Sequence, residues 1–387
     1  MVRPASSIAV LAFTAASTAR AASYGLVDAF DASNFFDEFD FFTEPDPTHG
    51  FVQYVDGDMA NREGLAGFAS GGVYLGVDYN RTTMTGRASV RVTSKKAYTR
   101  GLFVADIAHM PAGAAGSSSC GLWPAFWMFG PDWPSSGEID IIEGVNSQAA
   151  NSVSLHTGPG CTVSNVGSAP GTRLVTADCQ NDEGCTQDTS SAPESNSNYG
   201  TGFNAAGGGV YAVEWTDAAI KVWFFPQGSP TASQLSSFSA EGGGGGGEGK
   251  NTTSPDPSAF GTPLAVFANS NNNIGDDNID NDINSCAFDA HFADHRLVFD
   301  TTFCGDWAGR AWHSDAACAA LAPACEDYVG AHPEAFSEAY WLVRGIRVYQ
   351  LQSEDGDDGL QLQQQGRKVK RGIRGRRGMV DKRRWRA

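Results

Sequence analysis

The sequence predicts an all-β protein, and three observations carry that prediction. Short runs rich in Val, Phe, Tyr and Trp are separated by Gly, Asn and Asp, the punctuation of strands and tight turns. Hydrophobic residues make up 41% of the 387 positions, ample for a sizeable core, while charged residues are only 18% and glycines number 46. No extended stretch repeats its apolar residues at helical spacing. The length would allow two domains, yet no linker divides the middle, so one large domain is expected.

Residues 1–22 read as a secretory signal peptide: Arg3, an apolar stretch from Ile8 to Ala16, then the small-residue pattern Ala19-Arg-Ala21. That run is too short to span a membrane, and no later run approaches the ~20 apolar residues a spanning helix needs. Export agrees with the eight cysteines, all between Cys120 and Cys325, an even count that points to disulfides. Cys161, Cys179 and Cys185 fall in a polar loop and Cys286, Cys304, Cys318 and Cys325 in a second group; their pairing stays open among on the order of a hundred connectivities. Zinc is disfavoured because paired Cys-x-x-Cys motifs and Cys/His alternation are missing.

Residues 137–144, Gly-Glu-Ile-Asp-Ile-Ile-Glu-Gly, set Glu138, Asp140 and Glu143 among isoleucines that belong in a core, where carboxylates are costly without a task. The β-branched stretch between glycines predicts a strand, in which Glu138 and Asp140 share a face and Glu143 points the other way. A β-bulge near Ile141 or Ile142 would return Glu143 to that face. Two carboxyls about 5 to 5.5 Å apart suit retaining glycoside hydrolysis, and a third between them can share a proton with the nucleophile. The competing reading is a calcium or magnesium site, but such ions draw ligands from oxygen-rich turns rather than an apolar strand.

Aromatic residues supply the other half of a glycan cleft, because sugars stack their C–H faces on indole rings. Trp123, Trp127 and Trp133 lie within fifteen residues upstream of Glu138. Trp133, between Asp132 and Pro134 in a loop, is the better platform, and Trp127 would serve either cleft or core. His156 lies in a strand-like run, Ser-Val-Ser-Leu-His-Thr, that would pair beside the acid strand. No Gly-x-Ser-x-Gly elbow occurs, so a serine nucleophile is not indicated.

Farther along, Glu241-Gly-Gly-Gly-Gly-Gly-Gly-Glu248 reads as a flexible surface loop, since glycines add no core and lose much entropy on ordering. Asn80-Arg-Thr82 and Asn251-Thr-Thr253 match the N-glycosylation pattern. Charge is uneven. The net −17 conceals a tail, Arg367 to Ala387, holding eleven of the 27 Lys and Arg but one of the 44 acids, so the remainder carries −27. The acidic body disfavours nucleic acid and suits a neutral ligand; residues 356–387 read as a basic, disordered appendage.

The acid motif with the following Val-Asn resembles the signature of glycoside hydrolase family 16, in particular its fungal endo-β-1,3(4)-glucanases, or laminarinases. Further stretches match in the same order: Leu122-Trp-Pro-Ala-Phe-Trp127, Ser154-Leu-His-Thr-Gly-Pro-Gly-Cys161, Tyr211-Ala-Val-Glu-Trp-Thr216, Cys286-Ala-Phe-Asp-Ala-His-Phe292, Thr302-Phe-Cys-Gly-Asp-Trp-Ala-Gly309 and Ala339-Tyr-Trp-Leu-Val343. The similarity spans roughly residues 28 to 352, and the basic tail is its main departure.

That resemblance implies a concanavalin A-like β-jelly-roll sandwich with a concave substrate cleft, its catalytic domain filling residues 23–355. It implies Glu138 as nucleophile, Asp140 as its assistant and Glu143 as general acid and then base, acting on β-1,3-glucans or mixed-linkage glucans with retention. Trp307 would line the cleft, Trp215, Trp223 and Trp341 would be core, and His156 would face the acids, binding substrate or tuning Glu143. No cofactor is required, and no sequence feature singles out the outer-face calcium of some relatives. The expectation is a secreted monomer whose partner is the polysaccharide. The rivals are a transglycosylase using the same residues and a non-catalytic glucan-binding protein of the same fold.

Overall fold

The computed structural model describes residues 23–114, 117–180, 183–237, 254–269 and 285–352. The expected signal peptide, the Gly-rich stretch, Asn251 and the basic tail therefore lie outside the described residues. Asn80, the other acceptor asparagine, is exposed.

Two large antiparallel sheets dominate. The first runs, from edge to edge, β12 (Val163–Ser164), β17 (Ala265–Asn269), β16 (Ala219–Pro226), β15 (Gly209–Trp215), β8 (Gly101–His109), β19 (Trp341–Leu351), β5 (Gly72–Leu75) and β4 (Ala66–Ala69), with β1 (Tyr24–Phe30) also on β19. The second runs β13 (Arg173–Leu174), β14 (Cys185–Asp188), β11 (Ser152–His156), β10 (Glu138–Glu143), β9 (Leu122–Phe129), β18 (Arg296–Phe303), β7 (Arg91–Ser94) and β2 (Phe39–Phe41). A short parallel pair, β3 (Val52–Tyr54) and β6 (Arg87–Ser89), stands apart. Helices are brief; the longest among the described residues is Pro230–Ser237, and none is long and apolar enough to cross a membrane.

Alternation builds the sandwich. Along the second sheet, Val92, Phe126, Met128, Ile139, Ile142, Val153, Leu155, Leu297 and Phe299 turn inward and are almost wholly buried. They meet Phe103, Ile107, Tyr211, Val213, Trp215, Ile220, Val222, Phe267, Val343 and Ile346 of the first sheet in one core. The side chains between them point to the opposite face, which is the cleft. A second, smaller core packs Leu122, Phe303, Trp312, Tyr328, Val329 and Phe336 beneath the helical segment that follows β18.

All eight cysteines are paired: Cys120–Cys318, Cys161–Cys286, Cys179–Cys185 and Cys304–Cys325. Cys161–Cys286 alone joins the two sequence groups; Cys179–Cys185 and Cys304–Cys325 each close within one, and Cys120 pairs into the second. Two of them rivet the segment after β18 to the end of the second sheet, and this pairing fits an oxidising compartment.

Candidate active site

The bulge sits in β10 where the isoleucines are. Opposite β9, Asp140 pairs with Trp127 and Ile142 with Phe126, so Ile141 is the extra residue. Opposite β11, the register steps from Asp140 and Ser154 to Glu143 and Ser152. Ile139, Ile141 and Ile142 are all fully buried, while Glu138, Asp140 and Glu143 face the cleft together. Apolar side chains held in the core thus fix the place at which the strand gains a residue.

Asn151 holds the bulge shut. Its buried carboxamide accepts from the Glu143 backbone N–H at 2.9 Å and donates to the Ile141 carbonyl at 2.8 Å. Asn151 is fixed in turn: Asn198 accepts from its N–H at 3.1 Å, Thr189 donates to its carbonyl at 2.7 Å, and Asn198 donates to the Thr189 hydroxyl at 2.9 Å. Replacing Asn151 by alanine leaves two buried backbone groups without partners, at a cost of about 2–4 kcal/mol. The expected outcome of Asn151→Ala is a lowered melting temperature, read by calorimetry.

Each acid has a distinct setting. Trp123 donates its indole N–H to Glu143 at 2.7 Å, and Trp133 donates to Glu138 at 2.6 Å. Asp140 is 2% exposed and lies 3.4 Å from the His156 Nε2 atom. Burial, then the charges of Glu138 and Glu143, push Asp140 well above the ordinary carboxylate range, which favours a proton shared with Glu138. Burial also pushes Glu143 up to about 8; the Trp123 hydrogen bond opposes the shift, and the charges of Glu138 and Asp300 reinforce it.

Asp300 is the residue sequence reasoning missed. It stands on β18 opposite Ala125, which itself stands opposite Glu143, so only a methyl group separates the two carboxylates across the sheet. Tyr54 and Trp127 donate to Asp300 at 3.0 and 3.3 Å. Burial pushes Asp300 to about 6, opposed chiefly by Arg91, whose guanidinium also lies 4.9 Å from the Trp127 ring centre and 4.4 Å from that of Phe42. A carboxylate in the middle of Leu297-Val-Phe-Asp-Thr-Thr-Phe303 is the same signal that marked the acid motif.

The tryptophans differ in burial. Trp215, Trp223 and Trp341 are buried, and Trp133 is 58% exposed. Trp123 and Trp307 are half-buried and meet edge to face with ring centres 5.7 Å apart. Trp307 rides on the turn Gly305–Gly309, held by the Cys304–Cys325 link and by Asn146, which donates to the Ala308 carbonyl at 2.9 Å. Trp127 is half-buried on the cleft face, committed to Asp300. His156 reaches the acids, but at the other end: it pairs directly opposite Glu138 and contacts Asp140, whereas Ser152 stands opposite Glu143. The acid it touches is therefore Asp140, because an antiparallel neighbour sets its last residue beside the first of the acid strand.

Residues 39–349 match the family model described as an XgeA-like, catalytic GH16 domain. The chain belongs to glycoside hydrolase family 16. Among relatives in this family, the endo-1,3(4)-β-glucanase of Arthroderma benhamiae is 40% identical over 338 residues, 85% of this chain and 65% of the relative. A probable endo-1,3(4)-β-glucanase of Neosartorya fischeri is likewise 40% identical, over 87% of this chain and 47% of its own length. The chain thus spans about half to two thirds of these curated relatives. Solved structures of the family share the jelly-roll sandwich. An elongating GH family 16 β-1,3-glucosyltransferase superimposes with a TM-score of 0.68 at 39% identity, covering 85% of this chain and all of that one. Laminarinase 16A of Phanerochaete chrysosporium, solved with 6-O-glucosyl-laminaritriose in donor and acceptor sites, gives 0.70 at 36% identity over 84% of this chain and 99% of its own.

Proposed function

We propose that this chain is a secreted, endo-acting β-glucanase that hydrolyses internal β-1,3 bonds, and β-1,4 bonds of mixed-linkage glucans, with retention of configuration. The observation that carries the reading is the bulge that sets Glu138, Asp140 and Glu143 on one cleft face with each glutamate under an indole N–H. Binding alone needs no such arrangement. Glu138 attacks the anomeric carbon while Glu143 gives its proton to the departing oxygen; water, deprotonated by Glu143, then releases the glycosyl group from Glu138. Asp140 supplies or withdraws a shared proton as the charge on Glu138 comes and goes. Trp123, Trp127, Trp133, Trp307 and His156 bind the glucan.

In this reading residues 1–22 direct export, 23–355 form the catalytic domain and 356–387 are a basic appendage, and the enzyme acts as a monomer without a cofactor. The likeness to a glucosyltransferase supports one alternative, transfer of the glycosyl group to a sugar hydroxyl in place of water. Product analysis of laminarin, cereal β-glucan and cellulose digests decides between them. Short oligosaccharides from laminarin are expected; products longer than the substrate indicate transfer, and binding without any product sinks both.

A further inference from the structure

We propose that Glu138, Asp140 and His156 form an inhibitory site for a zinc-type divalent ion, which seizes the nucleophile and shuts the cleft. One ligand atom from each of the three residues lies within 4.8 Å of the other two. The Asp140 Oδ2 and His156 Nε2 atoms stand 3.4 Å apart. Two ligands bound tetrahedrally at zinc's usual bond lengths of about 2.0 to 2.1 Å stand roughly 3.3 Å apart, so this edge is already set to the metal. Closing the third corner takes a rotation of the Glu138 side chain, which is partly exposed and exchanges its hydrogen bond from Trp133 for the metal.

A second observation points to a ligand. The Asp140 Oδ2 atom is buried and has no hydrogen-bond partner, although a buried carboxylate oxygen without one is costly. It faces His156, across the gap that a cation would fill.

The donor set selects the metal. Calcium takes about six to eight oxygen ligands and magnesium keeps an octahedron of oxygens, whereas three groups here, one of them an imidazole, suit zinc with its fourth position left to water. The scaffold is stiff. Glu138 and His156 are cross-strand partners and Asp140 is the next residue on the same face, so the ligands sit on paired strands in the middle of an eight-stranded sheet rather than on a loop.

The functional consequence rests on the glucanase reading. Zinc coordinated through the Glu138 carboxylate removes the attacking electron pair and occupies the face on which the sugar must lie, so metal and glucan exclude one another.

The test uses the full chain, stripped with a chelator and titrated with Zn²⁺ against a chromophoric competitor, without substrate. Wild type is expected to bind a single zinc ion, with Glu138→Gln and His156→Gln each weakening it about tenfold or more. His332→Gln, which removes an exposed histidine beside Glu334, is expected to leave binding unchanged. Cobalt in place of zinc gives a readout on wild type that needs no variant to fold: the visible absorption of a tetrahedral nitrogen and oxygen site, bleached by added zinc. Binding that persists undiminished in both folded variants, or cobalt spectra of an octahedral aquo ion throughout, overturns the site. The two readings fail separately. Zinc bound through these residues in a chain that cleaves no glucan leaves the metal site standing and removes the glucanase; glucan cleavage unaffected by zinc does the reverse.

Discussion

Glu138→Gln is expected to lower kcat on laminarin by roughly 10⁴- to 10⁶-fold, the loss typical of removing a nucleophile whose intermediate carries the reaction. Glutamine keeps the shape and still accepts the Trp133 indole N–H, so the variant isolates the charge from the fold. KM should change little, because binding depends on the aromatic cleft and not on the attacking oxygen. Stability should move the other way. Glu138 is one of the charges that make ionising Asp140 costly, and removing it relieves the crowding in a buried trio. A gain of about 1 kcal/mol and a melting temperature a few degrees higher at neutral pH are expected, the usual exchange between stability and a strained active site. Steady-state kinetics with a melting curve checks both halves. Retained activity would remove Glu138 from the mechanism, and a lost cooperative melt would mean that folding, not chemistry, had failed.

Much of this site was legible because its physics is local. Carboxylates in a β-branched run are conspicuous, and strand periodicity alone demands an extra residue if all three are to share a face; the extra residue is Ile141. Asn151 left no such trace. In Ala149-Ala-Asn-Ser152 it reads as a turn residue, and only the buried network with Thr189 and Asn198, far along the chain, makes it the clamp of the bulge. His156 reads from its strand as a residue facing the acids, but which acid it meets depends on antiparallel register, which sets it opposite Glu138 and against Asp140. Asp300 carried the same mid-strand signal as the acid motif, yet its link to Glu143 passes through a neighbouring strand at Ala125. Disulfide pairing is the extreme case, since Cys120 and Cys318 are 198 residues apart and only the assembled sandwich brings them together.

Glu143→Gln is the second large effect, and its signature lies in how the loss depends on leaving group and pH. The first step needs Glu143 protonated. Because its proton affinity stands at about 8 instead of the usual 4.5, the acid form persists through neutral pH, and kcat/KM should fall about tenfold per pH unit above that value. Glutamine removes this alkaline limb and costs roughly 10²- to 10⁴-fold on laminarin, whose leaving oxygen needs a proton, but far less on an aryl glucoside whose phenolate departs unaided. The same carboxyl then acts as base. Once Glu138 is esterified its charge is gone, and with it part of what raised Glu143, so the proton leaves more readily when the second step needs it gone. Asp300→Asn withdraws another raising charge and should move the alkaline limb to lower pH. Stability follows the same proton. With its affinity raised in the folded state, Glu143 stabilises the fold fully below about 4.5, and that contribution is lost as pH rises through about 8. Wild type should therefore melt lower at pH 8 than at pH 5, and Glu143→Gln should flatten the decline, leaving the slope due to Asp140 and to Asp300, raised to about 6. An alkaline limb unchanged in Glu143→Gln would assign the acid to another group, and Asp300 is the residue next in place to supply it.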